Sequence, residues 1–411
     1  MSSKKILVLR GGTRNGLAVV RSLGSKGHTC DITTNQATGI AAFLRLQTLL
    51  TSRFVRRDYI LPSATRDENI FLKELINLLK TERYDYLITA GTATYNIASR
   101  HKQELSKYTK PLVEDYAKVW AVHNKANCMN LSRSLGVPIP KTYIIKNYKD
   151  LEVAAANIDC QVIMKYPDSY SSKGIWKFNG GGKRLIDEYI KRNPNISSNI
   201  TTTDFPLIQE CVEGPLVDVT AFSINGSPIA LLTQERLLTS WLDGGGGIVN
   251  ITNDIKVIKE YATKILSKIK WTGPIELDWI RDNRTGGYKL LEINPKFWGT
   301  TQLTISAGYD FPAWIVDYAE GKEIKVPKSY KTRLMYRLMA DEIYTILTFS
   351  KTKSSFLREV LKFFRRFTYR PVITDIWLRD LNPFILRSFV LSTILLSRFL
   401  NGIKKTLFLK V

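Results

Sequence analysis

The chain has 411 residues, 44% of them apolar and 24% charged, and its 60 Lys/Arg against 37 Asp/Glu give a formal net charge of +23. That length is too great for one ordinary core and predicts two to four globular units. Four cysteines without a CxxC pair and three histidines without metal-ligand spacing argue against a disulfide framework and a zinc hydrolase, and fit a reducing compartment.

In chain order, an apolar run at Ile6–Leu9 precedes Gly11, Gly12 and Gly16, and a helical period then runs through Leu17, Val20 and Leu23. The apolar run is too short for a secretory signal. A helix near Ile70–Lys80 and the buried strand "YDYLITAG" continue the alternation, which implies a parallel, doubly wound sheet. The glycine spacing is GGxxxG rather than GxGxxG, and Asp31 comes early for a ribose-binding acid. A tight turn is therefore the better reading than a dinucleotide cradle. The prolines of "LGVPIPKTYII" mark a break, after which the pattern becomes α+β. "CQVIMKY" reads as a strand, Arg184–Lys191 as a helix, and "FPLIQECVEG" as a further strand. "VDVTAFSING" and "SPIALLTQERL" form a hairpin around Asn225-Gly226. A helix at Lys256–Ile269 leads into a second hairpin, "GPIELDWIRDNRTGGYKLLEINP".

On that second hairpin, Glu276 and Asp278 share one face of the first strand, and Glu292 and Asn294 share one face of the next. Antiparallel pairing brings these oxygen donors together, as magnesium bound to phosphates requires. Asp278 reads equally as a surface charge. Lys165 ends an apolar strand, and the Ser/Gly/Lys loop behind it offers backbone N–H groups to phosphate oxygens. Lys125 lies in a helical stretch able to approach the same cleft. Arg236 could hold a γ-phosphate or a substrate carboxylate, or form a surface salt bridge. Gly244–Gly247 reads as a substrate loop or a long turn.

Residues 1 to about 325 resemble the ATP-grasp superfamily, within its carbamoyl-phosphate-synthase-like and carboxylate–amine ligase group. The motifs that carry the likeness are "HNKANCMNLSRSLGVPIPKTY", "VIMKYPDSYSSKG", "LIQECVEGPLVDVTAF" and "GPIELDWI…KLLEINPKFWG", in that order. The resemblance implies a Rossmann-like pre-ATP-grasp domain at 1–115, a linker helix and small lobe at 116–208, and a metal-bearing large lobe at 209–328. It implies that Lys125 and Lys165 bind the nucleotide, that Ser171, Ser172 and Gly174 belong to a flap over the phosphates, and that the backbone of Glu210 and Val212 meets adenine. It further implies that Asp218 binds ribose, and that Glu276, Glu292 and Asn294 hold Mg2+, with Mn2+ as an alternative. Lys296 stands where the family has arginine, which keeps the charge and loses the bidentate fork. Asn124 replaces the usual aspartate before the first lysine. Arg236, Asn294 and Lys296 are the expected catalytic groups. The implied reaction is ATP-dependent joining of a small-molecule carboxylate to an amine, or to a thiol, through an acyl phosphate. The competing readings are a nucleotide-dependent oxidoreductase built on the first glycine turn and a non-catalytic ATP-binding scaffold docked by its tail.

Residues 329–411 carry sixteen Lys/Arg against five Asp/Glu. "SSFLREVLKFFRRF" reads as a basic amphipathic helix. Asn382-Pro383 starts a second helix whose Phe384–Leu400 stretch places Arg387 and Arg398 on one face. The expected partner of this tail is an anionic membrane surface, met from the cytoplasmic side, or a protein; a helix packed on the rest of the chain is the alternative. A homodimer is compatible with the sequence, and no specific nucleic-acid contact is expected.

Overall fold

The opening alternation of apolar runs and glycine turns folds as it reads. The computed structural model describes residues 3–10, 12–35, 52–168, 175–197, 204–241, 244–349 and 352–408. The chain divides into two compact units, the first made of Met1–Asp115, Gln234–Asp254 and Lys296–Val411, the second of Tyr116–Thr233 and Ile255–Pro295.

The first unit begins with β1 (Lys5–Leu9), α1 (Arg14–Ser25), β2 (Thr29–Asn35), β3 (Val55–Leu61), α2 (Glu68–Glu82), β4 (Tyr86–Thr89), α3 (Thr92–Arg100) and β5 (Lys110–Pro111). The strands form one parallel sheet in the order β3-β2-β1-β4-β5. Ile6 to Leu9 are fully buried, as a central strand covered on both faces requires. The Thr13 hydroxyl caps α1 by accepting from the Gly16 N–H. Gly11 lies outside the described residues. Buried Asp31 accepts from Arg56 Nε at 2.9 Å and from the Tyr84 hydroxyl at 2.7 Å. That acid ties β2 to its neighbours, which removes the group a dinucleotide-binding reading would need.

The second unit contains α4 (Lys125–Ser134), β6 (Thr142–Tyr143), α5 (Tyr148–Asn157), β7 (Gln161–Lys165), β8 (Ile175–Asn179), α6 (Gly182–Arg192) and β9 (Leu207–Glu210). These strands pair antiparallel in the order β6-β9-β7-β8. Leu151, Ala154 and Ala155 on α5 and Leu185 and Tyr189 on α6 pack with Val162, Met164 and Ile208 of the sheet. The helical and strand periods thus meet in one small core. Next comes the hairpin of β10 (Leu216–Ile224) and β11 (Ser227–Trp241). Asn225 and Gly226 have φ of 48° and 85°, the left-handed pair of a type I′ turn. β11 belongs to this unit as far as Thr233; its remainder and β12 (Gly244–Asn253) belong to the first. Helix α7 (Lys256–Ile269) buries Ile258, Ala262, Ile265 and Leu266. Strands β13 (Gly273–Arg281) and β14 (Tyr288–Asn294) then complete the order β14-β13-β10-β11. Every residue of β13 except Arg281 is buried.

The first unit resumes at β12, so Gly244–Gly247 open a strand rather than forming a loop or a long turn. A Cβ at Gly247 would sit 2.0 Å from Asn250 Oδ1, which explains a glycine there. β12 pairs antiparallel with β15 (Met335–Arg337), and β15 pairs parallel with β16 (Val372–Thr374). Around them lie α8 (Thr301–Ala307), α9 (Phe311–Ala319), α10 (Met339–Phe349), α11 (Lys353–Arg365) and α12 (Asn382–Phe408). The tail is built into this unit. Asp380, 4% exposed, accepts from Arg21 Nε at 2.7 Å, Ser52 Oγ at 2.8 Å and the Arg53 N–H at 2.9 Å. On α12, Val390 and Leu391 are buried, and Arg387 Nη2 donates to Asp341 at 2.6 Å. The face expected to meet a membrane through Arg387 is therefore turned inward, drawn by that carboxylate; the Arg398 side chain lies outside the description. Among the described residues no helix is long and apolar enough to cross a membrane.

Candidate functional site

The polar residues of the second unit converge because of strand register. β10, β13 and β14 lie side by side, and Asp218 pairs with Asp278, which pairs with Glu292. Two residues along, Thr220 pairs with Glu276, which pairs with Asn294. A period of two puts both rows on one face of the sheet. Asp218, Glu276 and Asp278 are buried, and each offers an oxygen within 4.8 Å of the others. The Asn294 amide lies between two carboxylates, 3.5 Å from Glu276 Oε2 and 3.4 Å from Glu292 Oε1. Directly opposed like charges destabilise a bare sheet. Several carboxylates and an amide oxygen are also the donor set a hard divalent cation prefers, so these residues fit magnesium or manganese.

Two cations complete the arrangement. Lys125 is the first residue of α4; its N–H donates to the Pro167 carbonyl at 2.9 Å, and Asn124 caps the helix through the Asn127 N–H at 3.1 Å. The residue that departs from the family pattern thus holds the start of the helix carrying the first lysine. Lys165 closes β7, and both lysines are buried. Burial lowers the pKa of Lys125, with the charge of Glu292 opposing it. Burial brings Lys165 down to about 8, opposed by Glu292 and reinforced by Lys125. Two desolvated ammonium groups in the field of one carboxylate are held at higher energy than in water, a state that an incoming polyanion relieves.

Glu210 ends β9 and has its polar groups committed. Its N–H donates to the Lys141 carbonyl, and its carboxylate accepts from the Lys141 N–H at 3.0 Å and Lys289 Nζ at 2.6 Å. Burial raises its pKa, but Lys289 and the Lys141 N–H outweigh that and leave it lowered. Val212, in the connection that follows, is buried. Sequence reasoning separated Asp218 from the acids of the second hairpin, whereas the β10–β13 register puts it among them. His123, set aside with the other histidines for want of metal-ligand spacing, has its Nε2 3.0 Å from Asp168 Oδ1 just ahead of Lys125.

Lys125, Lys165, Glu210, Val212, Asp218, Glu276, Asp278, Glu292 and Asn294 all belong to the second unit. Arg236 and Lys296, both half-buried, belong to the first unit, where Arg236 Nη1 donates to the Gly245 carbonyl at 3.3 Å. Ser171, Ser172 and Gly174 lie outside the described residues.

Residues 207–341 match the family described as "ATP-grasp in the biosynthetic pathway with Ter operon". The D-aspartate ligase of Enterococcus faecium is 25% identical over 57% of this chain, which spans 59% of that protein's length. Among solved structures, the biotin carboxylase of Campylobacter jejuni superposes with a TM-score of 0.63 at 13% identity, covering 81% of this chain and 74% of that one. The L-amino acid ligase of Bacillus licheniformis gives 0.58 at 14% identity over 78% and 74%. The N5-carboxyaminoimidazole synthetase of Staphylococcus aureus, complexed with ADP, gives 0.58 at 16% identity over 80% of each chain. At these identities the structural likenesses show the fold.

Proposed function

We infer that this chain is a member of the ATP-grasp superfamily, and we propose that it uses ATP to join a small carboxylic acid to an amine. The observation that carries this reading is the register that gathers Asp218, Glu276, Asp278, Glu292 and Asn294 on one sheet face, in the same unit as two buried lysines. An acid cluster alone has many explanations. Desolvated lysines in the field of one of its members are harder to explain without a polyphosphate ligand.

The roles follow from the chemistry of each group. Lys125 and Lys165 hold phosphate oxygens as point charges. The Glu210 carbonyl and the Val212 backbone meet adenine. Glu276, Glu292 and Asn294 would hold the divalent ion, with Asp218 and Asp278 close enough to share it or to orient its ligands. The bound ion supplies charge neutralisation on the β- and γ-phosphates. The substrate carboxylate oxygen then attacks the γ-phosphorus and ADP leaves. The amine attacks the acyl carbon of the resulting acyl phosphate, phosphate leaves, and the amine loses a proton. Arg236 and Lys296 are the groups for the anionic substrate and its acyl phosphate. A thiol in place of the amine follows the same course.

Relatives named D-aspartate ligase and L-amino acid ligase make amino acids the first substrates to test. Hydroxylamine is the direct probe, because it intercepts an acyl phosphate as a hydroxamate. Hydroxamate formed only with ATP, divalent ion and a particular acid supports the proposal. ADP production without hydroxamate, for every acid tried, would overturn the acyl-phosphate route.

A further inference from the structure

The basic excess of the tail is unused by the ligase reading, and the structure assigns it a surface. Helix α11 is held to the first unit from one side. Arg366, just past its end, donates to Glu342 Oε1 at 2.6 Å; Glu342 also accepts from Arg337 Nε at 2.9 Å, and Arg337 lies 4.8 Å from the Phe363 ring. The opposite side carries two stripes at helical spacing. Leu357, Leu361 and Phe364 are 57, 62 and 63% exposed, and Arg358, Lys362 and Arg365, one position further round, are exposed as well. Residues at i, i+4 and i+7 align along a helix, so an apolar rail and a basic rail run side by side.

We propose that this outer face of α11 docks on the surface of an anionic phospholipid bilayer, with the leucine and phenylalanine rail in the acyl boundary and the basic rail among the headgroups. Charge selects this occupant. A second copy of the chain on a twofold axis would bring two such basic rails into one interface. A nucleic acid would satisfy the cations, but such interfaces are polar and would leave the exposed leucines and phenylalanine without a match. An anionic bilayer answers both rails. Of the two tail helices that the sequence offers to a membrane, α12 is packed through Val390, Leu391 and Arg387, and α11 keeps its outer face exposed. It does not depend on the ligase reading.

The test is co-sedimentation of the full chain with vesicles of phosphatidylcholine alone and of phosphatidylcholine mixed with phosphatidylserine. Two variants accompany it, Arg358→Glu with Arg365→Glu, and Leu357→Ser with Leu361→Ser, all at exposed positions outside the proposed nucleotide site. The unsubstituted chain should pellet with the anionic vesicles and remain in solution with the neutral ones. Each basic residue near such a surface contributes roughly fivefold in affinity, so the charge variant should bind at least about twentyfold more weakly. The serine variant should also lose binding while keeping the melting temperature of the natural sequence. No pelleting with anionic vesicles, or equal pelleting of the variants, would overturn the proposal. So would a lipid-free dimer that the serine variant abolishes, which would make this face an interface between copies.

Discussion

Replacing Lys165 by Met should raise stability and weaken ATP binding at once, a pairing that a surface lysine cannot produce. The side chain is buried and titrates at about 8 against an ordinary 10.5. That gap corresponds to a net penalty of roughly 3 kcal/mol on the charged form, set by burial and by Lys125 against the attraction of Glu292. The folded value lies below the unfolded one, so the unfolded chain binds the extra proton between about pH 8 and pH 10.5. Stability contributed by this group therefore rises with pH through that window, and the whole penalty is felt below it. Methionine has similar length and no charge, so at neutral pH the variant should gain up to about 3 kcal/mol. Binding behaves oppositely. A triphosphate restores the ammonium form, and affinity should fall about tenfold between about pH 7 and pH 9 as the free lysine loses its proton. Calorimetric titration with Mg-ATP in buffers of different ionisation enthalpy would read both the affinity and the proton taken up. A flat pH profile in the natural sequence, or one that keeps its slope in Lys165→Met, would refute the reasoning.

Three further outcomes are expected. Glu292→Gln should abolish ADP release while leaving the fold intact, since it relieves repulsion with its cross-strand partner Asp278 as it weakens the attraction to Lys125 and Lys165; an active variant would remove Glu292 from the metal site. Arg21→Ala should strand buried Asp380 without its strongest partner and cost about 3–5 kcal/mol in denaturant unfolding, and a loss well under that would mean the tail is not clamped through this pair. Gly247→Ala should cost about 1–3 kcal/mol, because the new methyl would overlap the Asn250 amide; Gly247→Ala with Asn250→Ala should recover much of that loss in the same unfolding assay.

The sequence displayed what depends on local period and turn chemistry. The apolar run of β1, the Asn225-Gly226 hairpin and the helix Lys256–Ile269 all form where the pattern puts them. The alternation of Glu276 with Asp278 and of Glu292 with Asn294 announced two polar strand faces. It did not announce that β10 lies beside β13, because strand neighbourhood is set by long-range packing, so Asp218 was read apart from the acids it adjoins. Glycines 244 to 247 suggest a substrate loop or a long turn, because glycine favours turns. They open β12, and at Gly247 the close approach of the Asn250 side chain leaves no room for a Cβ. The inward face of α12 was hidden likewise, since Arg387 looks like a membrane anchor until Asp341 is found opposite it.

The central claim, ATP-driven joining of an acid to an amine, is tested most directly by ADP release measured against pools of carboxylic acids and amines, starting with amino acids. The account predicts that release needs a divalent ion and an acid, increases when an amine is added, and disappears in Glu292→Gln. Release that is indifferent to the acid and survives in Glu292→Gln would contradict it.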